Sequence, residues 1–310
     1  MASTFSRDQY RALHEAAGLL VREDRGRIIL RGADRKEYLQ GLLSNDILAL
    51  QPGGWCYATL LTPQGRMMSD MRVFDLGELI LMDLESSVTP NVVEHLEKFV
   101  ITEDVTVESA TSQLGQIGLY GPQAREVLQR ATSSGAVAPM FVLPSGDSGI
   151  DGVDVSVKAA EVQPCIASLV AAGAVIVDPA VAEATRIEAG IPRFLVDMDS
   201  STIPLEAGIE GSAISMTKGC YVGQEVIVRV LHRGGGRVAK KLVSLEVDGQ
   251  AERDDGIFAG GREVGRITSA VDSPRYGKRI ALGYVHRDFV EPGTALTVNA
   301  TTPASVIRPT

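Results

Sequence analysis

Three side chains have the type and setting to support chemistry. Cys220 stands at the centre of KGCYVGQE, residues 218 to 225, with Lys218, Gly219 and Tyr221 beside it and Gly223, Gln224 and Glu225 closing the stretch. With Thr217 as the cap of a following helix, the thiol would lie near a positive helix end and near Lys218, and both favour the thiolate. The plain alternative is a small buried cysteine in a tight turn, with Gly219 and Gly223 marking sharp or closely approached backbone. Asp70, in MMSDMRVF, is a carboxylate in a strand-like run where aspartate is disfavoured. Alternation places Met68, Asp70, Arg72 and Phe74 on one face. A solvated face makes Asp70 and Arg72 an exposed pair, whereas a cleft face makes Asp70 a binding or acid/base group. Glu188, in RIEAG, falls in the last turn of a helix, where the macrodipole disfavours a carboxylate by roughly 0.3 to 1 kcal/mol. A solvated glutamate, an ion pair with Arg186 or Arg193, or a ligand would each answer that placement.

The elements that must hold these residues alternate between strand and helix through the first two thirds of the chain, which points to mixed α/β architecture. RIILRG predicts a strand and DRKEYLQGLL a helix. CYATLLTPQGRMMSDMRVF predicts a hairpin turning at Pro63–Gly65. Thr89 and Pro90 open a helix with Val92, Val93, Leu96, Phe99 and Val100 on one face, and Asp178-Pro179 opens another that stops at Gly190. LRGADRKEYLQ, from Leu30, and LYGPQAREVLQ, from Leu119, share Leu, Gly, Glu, Leu and Gln at equal offsets, which suggests two related α/β units. Beyond HRGGGR, residues 232 to 237, short apolar runs separated by turns predict a small all-β domain. The expected division is therefore 1–237 and 238–310. HRGGGR lacks the Walker ending and is read as a connection carrying basic residues.

Composition narrows the function classes. With 30 Lys and Arg against 39 Asp and Glu, the formal charge is -9, which disfavours general nucleic-acid binding and an anionic membrane surface. Three cysteines, Cys56, Cys165 and Cys220, lie far apart without a CxxC pair, so neither a disulfide framework nor an autonomous metal site is expected. The four histidines have no spacing relation to Cys220 that would suggest a cysteine hydrolase. No secretory signal is read at the N-terminus, and IASLVAAGAVIV is too short to span a bilayer, so a cytoplasmic protein is expected.

Taken together, KGCYVGQE, YLQGLLSNDI, LLTPQGRMMSDMRVF, LYGPQAREVL, RIEAGIPRF and VGRITSAVDSPRYGKRIALGYV resemble the YgfZ-type folate-binding proteins. These are relatives of the glycine-cleavage T-protein, an aminomethyltransferase, and include iron–sulfur cluster assembly factors. The resemblance implies an α+β fold: two ferredoxin-like α/β portions and a C-terminal β-barrel in a cloverleaf around a central folate cavity. It implies tetrahydrofolate or a derivative as cofactor, with Asp70 against the folate's reactive nitrogens, Tyr57 lining the pocket and Glu188 binding the pterin. A bidentate carboxylate suits the adjacent N–H donors of a pterin. Arg229, Arg233 and Arg237 are candidates for the folate's glutamate tail. Where the T-protein has GGxxDD, this chain has GRMMSD and keeps only Asp70 of the carboxylate pair. The resemblance therefore implies a folate-binding accessory protein for iron–sulfur assembly or repair, with iron–sulfur client proteins as partners and Asp70 and Cys220 as the candidate catalytic groups. The alternative is a folate-dependent aminomethyl or one-carbon transferase.

Overall fold

The computed structural model of the chain describes residues 6–133, 135–233 and 237–310, without the side chains of His232 and Arg233. The chain groups into two compact units, Met1–Arg25 with Ala110–Ile191, and Gly26–Ser109 with Pro192–Thr310.

In the first unit a five-stranded sheet runs in the order Val175–Ile176, Gly18–Val21, Leu114–Tyr120, Gly152–Lys158, Phe141–Ser145. The helices Ala124–Ser133 and Val162–Ala171 bury Val127, Leu128, Cys165 and Leu169 with Ile117, Leu119, Val155 and Val157 of the sheet. From Leu114 onward the sequence of elements is strand, helix, strand, strand, helix, strand, which is the ferredoxin-like plan. Gly18–Val21 is inserted beside the first of these strands. The second unit repeats the plan from Arg25–Arg31 to Thr106–Ser109, with Trp55–Leu61 added at the sheet edge. Its order is Trp55–Leu61, Met67–Asp75, Ile80–Glu85, Arg25–Arg31, Thr106–Ser109.

The repeat predicted from Leu30 and Leu119 corresponds to the same junction in both sheets, a strand turning through glycine into a helix. Gly32 has φ 105° and Gly121 φ 111°. A Cβ on Gly32 would lie 1.9 Å from the Asp104 carbonyl oxygen, and one on Gly121 would lie 2.7 Å from that of Ala16. Both junctions therefore require glycine, which explains why the repeat keeps it.

The barrel is closed in the order Lys240–Val247, Lys278–His286, Arg262–Ser273, Gly256–Ala259, Ala295–Val298, Thr302–Pro309, around Val243, Leu245, Ile257, Ile267, Val285 and Val306. The predicted helix from Asp178 is present as Pro179–Ala189. The Asp178 carboxylate accepts the Ala180 N–H at 2.8 Å and Gly190 takes φ 76° at the other end. The helix at Thr89 ends at Glu97, so Phe99 falls beyond it and is exposed, not in line with Val92 and Leu96. Among the described residues no helix is long and apolar enough to cross a membrane.

Candidate functional site

The sheet of the second unit has two unlike faces. One buries Ile28, Leu30, Leu60, Met71, Val73 and Met82 against the helices Arg35–Leu42 and Thr89–Glu97. The pleat turns Arg27, Tyr57, Thr59, Asp70, Arg72, Asp83 and Glu85 to the other. In the register Tyr57 faces Arg72, Thr59 faces Asp70, and Arg72 faces Asp83. This face is buried: Asp70 is 8% exposed, Arg72 5% and Asp83 0%. The expected alternative of a solvated Asp70 and Arg72 pair is thereby corrected. The Tyr57 hydroxyl donates to Asp70 Oδ2 at 2.6 Å, and the Arg72 guanidinium meets the Asp83 carboxylate at 3.1 Å. Trp55 stacks on Phe74 with ring centroids 5.8 Å apart and keeps 42% of its surface exposed. Desolvating such a row of charges costs more than an apolar face would, so stability alone does not account for it.

Met68 departs from the expected alternation. The ladder shifts register between Leu60 and Leu61, opposite Ser69 and Met67, and Met68 packs instead with the apolar cluster. This is a β-bulge, and it leaves Asp70 as the first side chain of the polar face after the hairpin turn.

KGCYVGQE is fastened to the same unit at four points. Lys218 Nζ donates to the carbonyls of Gln40, Leu43 and Asn45 at 2.6, 2.5 and 3.1 Å, which closes the C-terminal end of the helix Arg35–Leu42. Tyr221 is buried with Leu61, Phe194 and Ile227, while Val222 packs on the first apolar cluster. Gly223, at φ 85°, lies against the hairpin turn: its Cβ position is 2.5 Å from the Thr62 carbonyl oxygen and 3.3 Å from Gly65 Cα. The following helix, Gln224–Val228, begins only after Gly223, so Thr217 does not cap it and the expected placement of Cys220 beside a helix N-terminus is corrected. Gly219 has open space around its Cβ position, so of the two motif glycines only Gly223 is closely approached.

Between these anchors Cys220 is exposed, which removes the buried-turn alternative. The other two thiols are held neutral by burial: Cys56 is pushed up to about 12, against the opposing charge of Lys218, and Cys165 up to about 11. Burial also pushes Lys218 down to about 8, with Asp46 and Cys56 opposing it. Between about 8 and 10.5 the unfolded chain keeps a proton on Lys218 that the folded chain has released, so this group's contribution to stability rises with pH across that window. Thermal melts are expected to show the wild-type protein gaining on a Lys218→Met variant from about pH 8 to about pH 10, with a constant difference below about pH 7. A gap that narrows as pH rises through the window would contradict the lowering of Lys218 by burial.

Glu188 belongs to the first unit. It is 4% exposed, and the Tyr10 hydroxyl, from the helix Arg7–Glu15, donates to its Oε2 at 2.7 Å. The solvated alternative is thus corrected. Arg186 forks onto Glu183 and donates to the Ile191 carbonyl. Arg193 lies 4.0 Å from Glu85. Of the cations considered for a glutamate tail, Arg229 pairs with Glu225 at 2.7 Å, and Arg237 is exposed. The Arg233 side chain and the three glycines of HRGGGR lie outside the described residues.

Residues 2–218 match the GCVT N-terminal domain family, and residues 240–310 match the glycine cleavage T-protein C-terminal barrel domain. The chain belongs to the GCVT family. Curated relatives include the aminomethyltransferase of Rubrobacter xylanophilus, 28% identical over 89% of this chain and 78% of its own length. The aminomethyltransferase of Rippkaea orientalis is 28% identical over 94% of this chain and 84% of its own. The crystal structure of glycine cleavage system aminomethyltransferase T from Bartonella henselae superposes with a TM-score of 0.86 at 20% identity, covering 97% of this chain and 87% of that one, and so shares the fold.

In this GCVT-family chain the polar residues of YLQGLLSNDI, which follow the helix Arg35–Leu42, bind two other segments. Ser44 Oγ accepts from the Thr59 N–H and hydroxyl, both at 2.8 Å, and donates to the Ala213 carbonyl. Asn45 Nδ2 donates to the carbonyls of Tyr57 and Ser212 at 2.8 and 2.9 Å. These bonds tie the strand carrying Tyr57 to the segment leading into KGCYVGQE. The available signal was a polar Ser-Asn-Asp run directly after an amphipathic helix.

Proposed function

We propose that this GCVT-family protein binds tetrahydrofolate or a one-carbon derivative of it, and that it supports iron–sulfur cluster assembly or repair through Cys220. The observation that carries the folate part is the Asp70 carboxylate, buried on a polar sheet face and held by the Tyr57 hydroxyl. A carboxylate fixed in this way can accept from, or polarise, a folate nitrogen. Folate, when bound, supplies the nitrogen that carries a one-carbon unit; the chain's own part is to orient and polarise it.

For the second part, the relevant feature is an exposed thiol on a segment anchored by Lys218, Tyr221 and Gly223. Among the described residues no group of three or more His, Cys, Asp or Glu is arranged to hold a metal ion. Cys220 would thus ligate iron together with donors from a client protein or glutathione. Replacing Cys220 by Ser is expected to lower iron–sulfur enzyme activities in cells while leaving tetrahydrofolate affinity unchanged. Unaltered activities in cells carrying the variant would remove Cys220 from function.

A second reading is favoured by the names of the relatives, which are aminomethyltransferases. In that reading the same Asp70 positions tetrahydrofolate so that its nitrogens take the carbon of an aminomethylated lipoyl carrier, with ammonia released and the lipoyl sulfur left as a thiol. Purified protein with aminomethylated lipoyl carrier and tetrahydrofolate separates the two. Absence of turnover is expected, because of the carboxylate pair only Asp70 is kept in GRMMSD; sustained methylene-tetrahydrofolate formation would establish the transferase.

A further inference from the structure

The strand that carries Tyr57, Trp55–Leu61, lies at the edge of its sheet, with Met67–Asp75 as its one neighbour there. An edge strand turns the N–H and C=O of every second residue outward, and an unsupported edge frays. Here the outward groups of Tyr57 and Thr59 are taken up by two consecutive residues. Asn45 Nδ2 donates to the Tyr57 carbonyl at 2.8 Å. Ser44 holds Thr59 at both backbone groups: its N–H donates to the Thr59 carbonyl at 3.0 Å, and its hydroxyl accepts the Thr59 N–H at 2.8 Å. In the register Tyr57 and Thr59 are the residues opposite Arg72 and Asp70. The support therefore falls on the part of the strand from which the Tyr57 hydroxyl reaches Asp70 Oδ2 at 2.6 Å. A short bond between side chains on two strands weakens steeply when either strand moves.

Ser44 and Asn45 are themselves fixed. The second proton of the Asn45 amide goes to the Ser212 carbonyl at 2.9 Å, and the Ser44 hydroxyl donates to the Ala213 carbonyl at 2.6 Å. Both carbonyls belong to the end of the helix Glu210–Ala213, where helical donors run out. Asn45 Oδ1 accepts the Asp46 N–H at 2.8 Å, so two acceptors on one side and a donor on the other leave the amide a single orientation. The backbone is held as well. The Ser44 carbonyl accepts the Ser215 N–H at 3.1 Å, and that of Asn45 accepts Lys218 Nζ at 3.1 Å. Ser44 is fully buried and its loss would strand three groups, whereas Asn45 is half-buried and its loss opens two carbonyls to water. Asn45 is therefore the residue whose removal the fold tolerates.

We propose that Asn45 is a positioning residue of the folate site, acting through Tyr57: it holds the edge strand where the Tyr57 hydroxyl can orient the Asp70 carboxylate. The proposal rests on the reading of Asp70 as the group that meets folate. Its test is the tetrahydrofolate affinity of the full chain, by calorimetry, for the wild type, Asn45→Ala, Tyr57→Phe and the double variant, with the melting temperature of each. Asn45→Ala is expected to weaken binding about three- to fivefold, and no more than Tyr57→Phe does. In the Tyr57→Phe background the same substitution should have no further effect, because the bond it serves is already gone. A purely structural role gives a different pattern. Equal losses of affinity in both backgrounds, or a lower melting temperature with wild-type affinity, would overturn the proposal. A wild-type chain that binds no tetrahydrofolate overturns the folate reading and this inference together, whereas binding that Asn45→Ala leaves intact overturns this inference alone.

Discussion

An Asp70→Asn variant is expected to bind tetrahydrofolate roughly ten- to a hundredfold more weakly than the wild-type chain. The substitution keeps the shape of the side chain and a partner for the Tyr57 hydroxyl, now 2.6 Å from the carboxylate. What it removes is the charge. A hydrogen bond to an ionised group contributes about 1.5 to 3 kcal/mol, and each 1.4 kcal/mol is a factor of ten in affinity. Tyr57→Phe removes only the bond that orients the carboxylate, so its effect should be smaller, about three- to tenfold. The same ordering should appear in the fluorescence of Trp55, the chain's single tryptophan, on the strand that carries Tyr57. Equal affinities for wild type and Asp70→Asn would remove Asp70 from the site.

Gly223→Val is expected to destabilise the protein severely while Gly219→Val leaves it nearly unaffected. The two glycines sit four residues apart in one motif, yet their surroundings are opposite. Gly219 faces open space. At Gly223, φ is 85° and the added Cβ would lie 2.5 Å from the Thr62 carbonyl oxygen and 3.0 Å from Leu61 Cβ. That carbonyl cannot withdraw readily, because it accepts the Gly65 N–H at 2.8 Å within the hairpin turn. Left-handed backbone costs a branched residue roughly 1 to 2 kcal/mol and overpacking roughly 1 to 3 more. For a chain of this size the fall in melting temperature should be on the order of 10 °C. Similar melting temperatures for the two variants would contradict the packing of KGCYVGQE on the turn.

Much of this was legible in the sequence because it rests on local patterns. The hairpin around Pro63–Gly65, the helix from Asp178-Pro179 to Gly190 and the barrel after Arg237 all follow from turn residues, capping and strand spacing. The repeat at Leu30 and Leu119 was readable because both junctions force the same glycine. What escaped were features set by distant parts of the chain. Whether the Asp70 face was solvated or buried depends on the whole sheet, and alternation alone gives faces without naming their environment. The Met68 bulge is one residue's slip in pairing and leaves no mark on composition. Lys218 was read as a charge beside a thiol, whereas its ammonium is committed to three carbonyls more than 170 residues earlier.

The central claim is that the polar sheet face around Asp70 receives tetrahydrofolate. Calorimetric titration of the purified chain with tetrahydrofolate tests it most directly. A single saturable site with a dissociation constant in the tens of micromolar or tighter, near -6 kcal/mol or more favourable, is the predicted result. No heat and no change in Trp55 fluorescence over that range would contradict it.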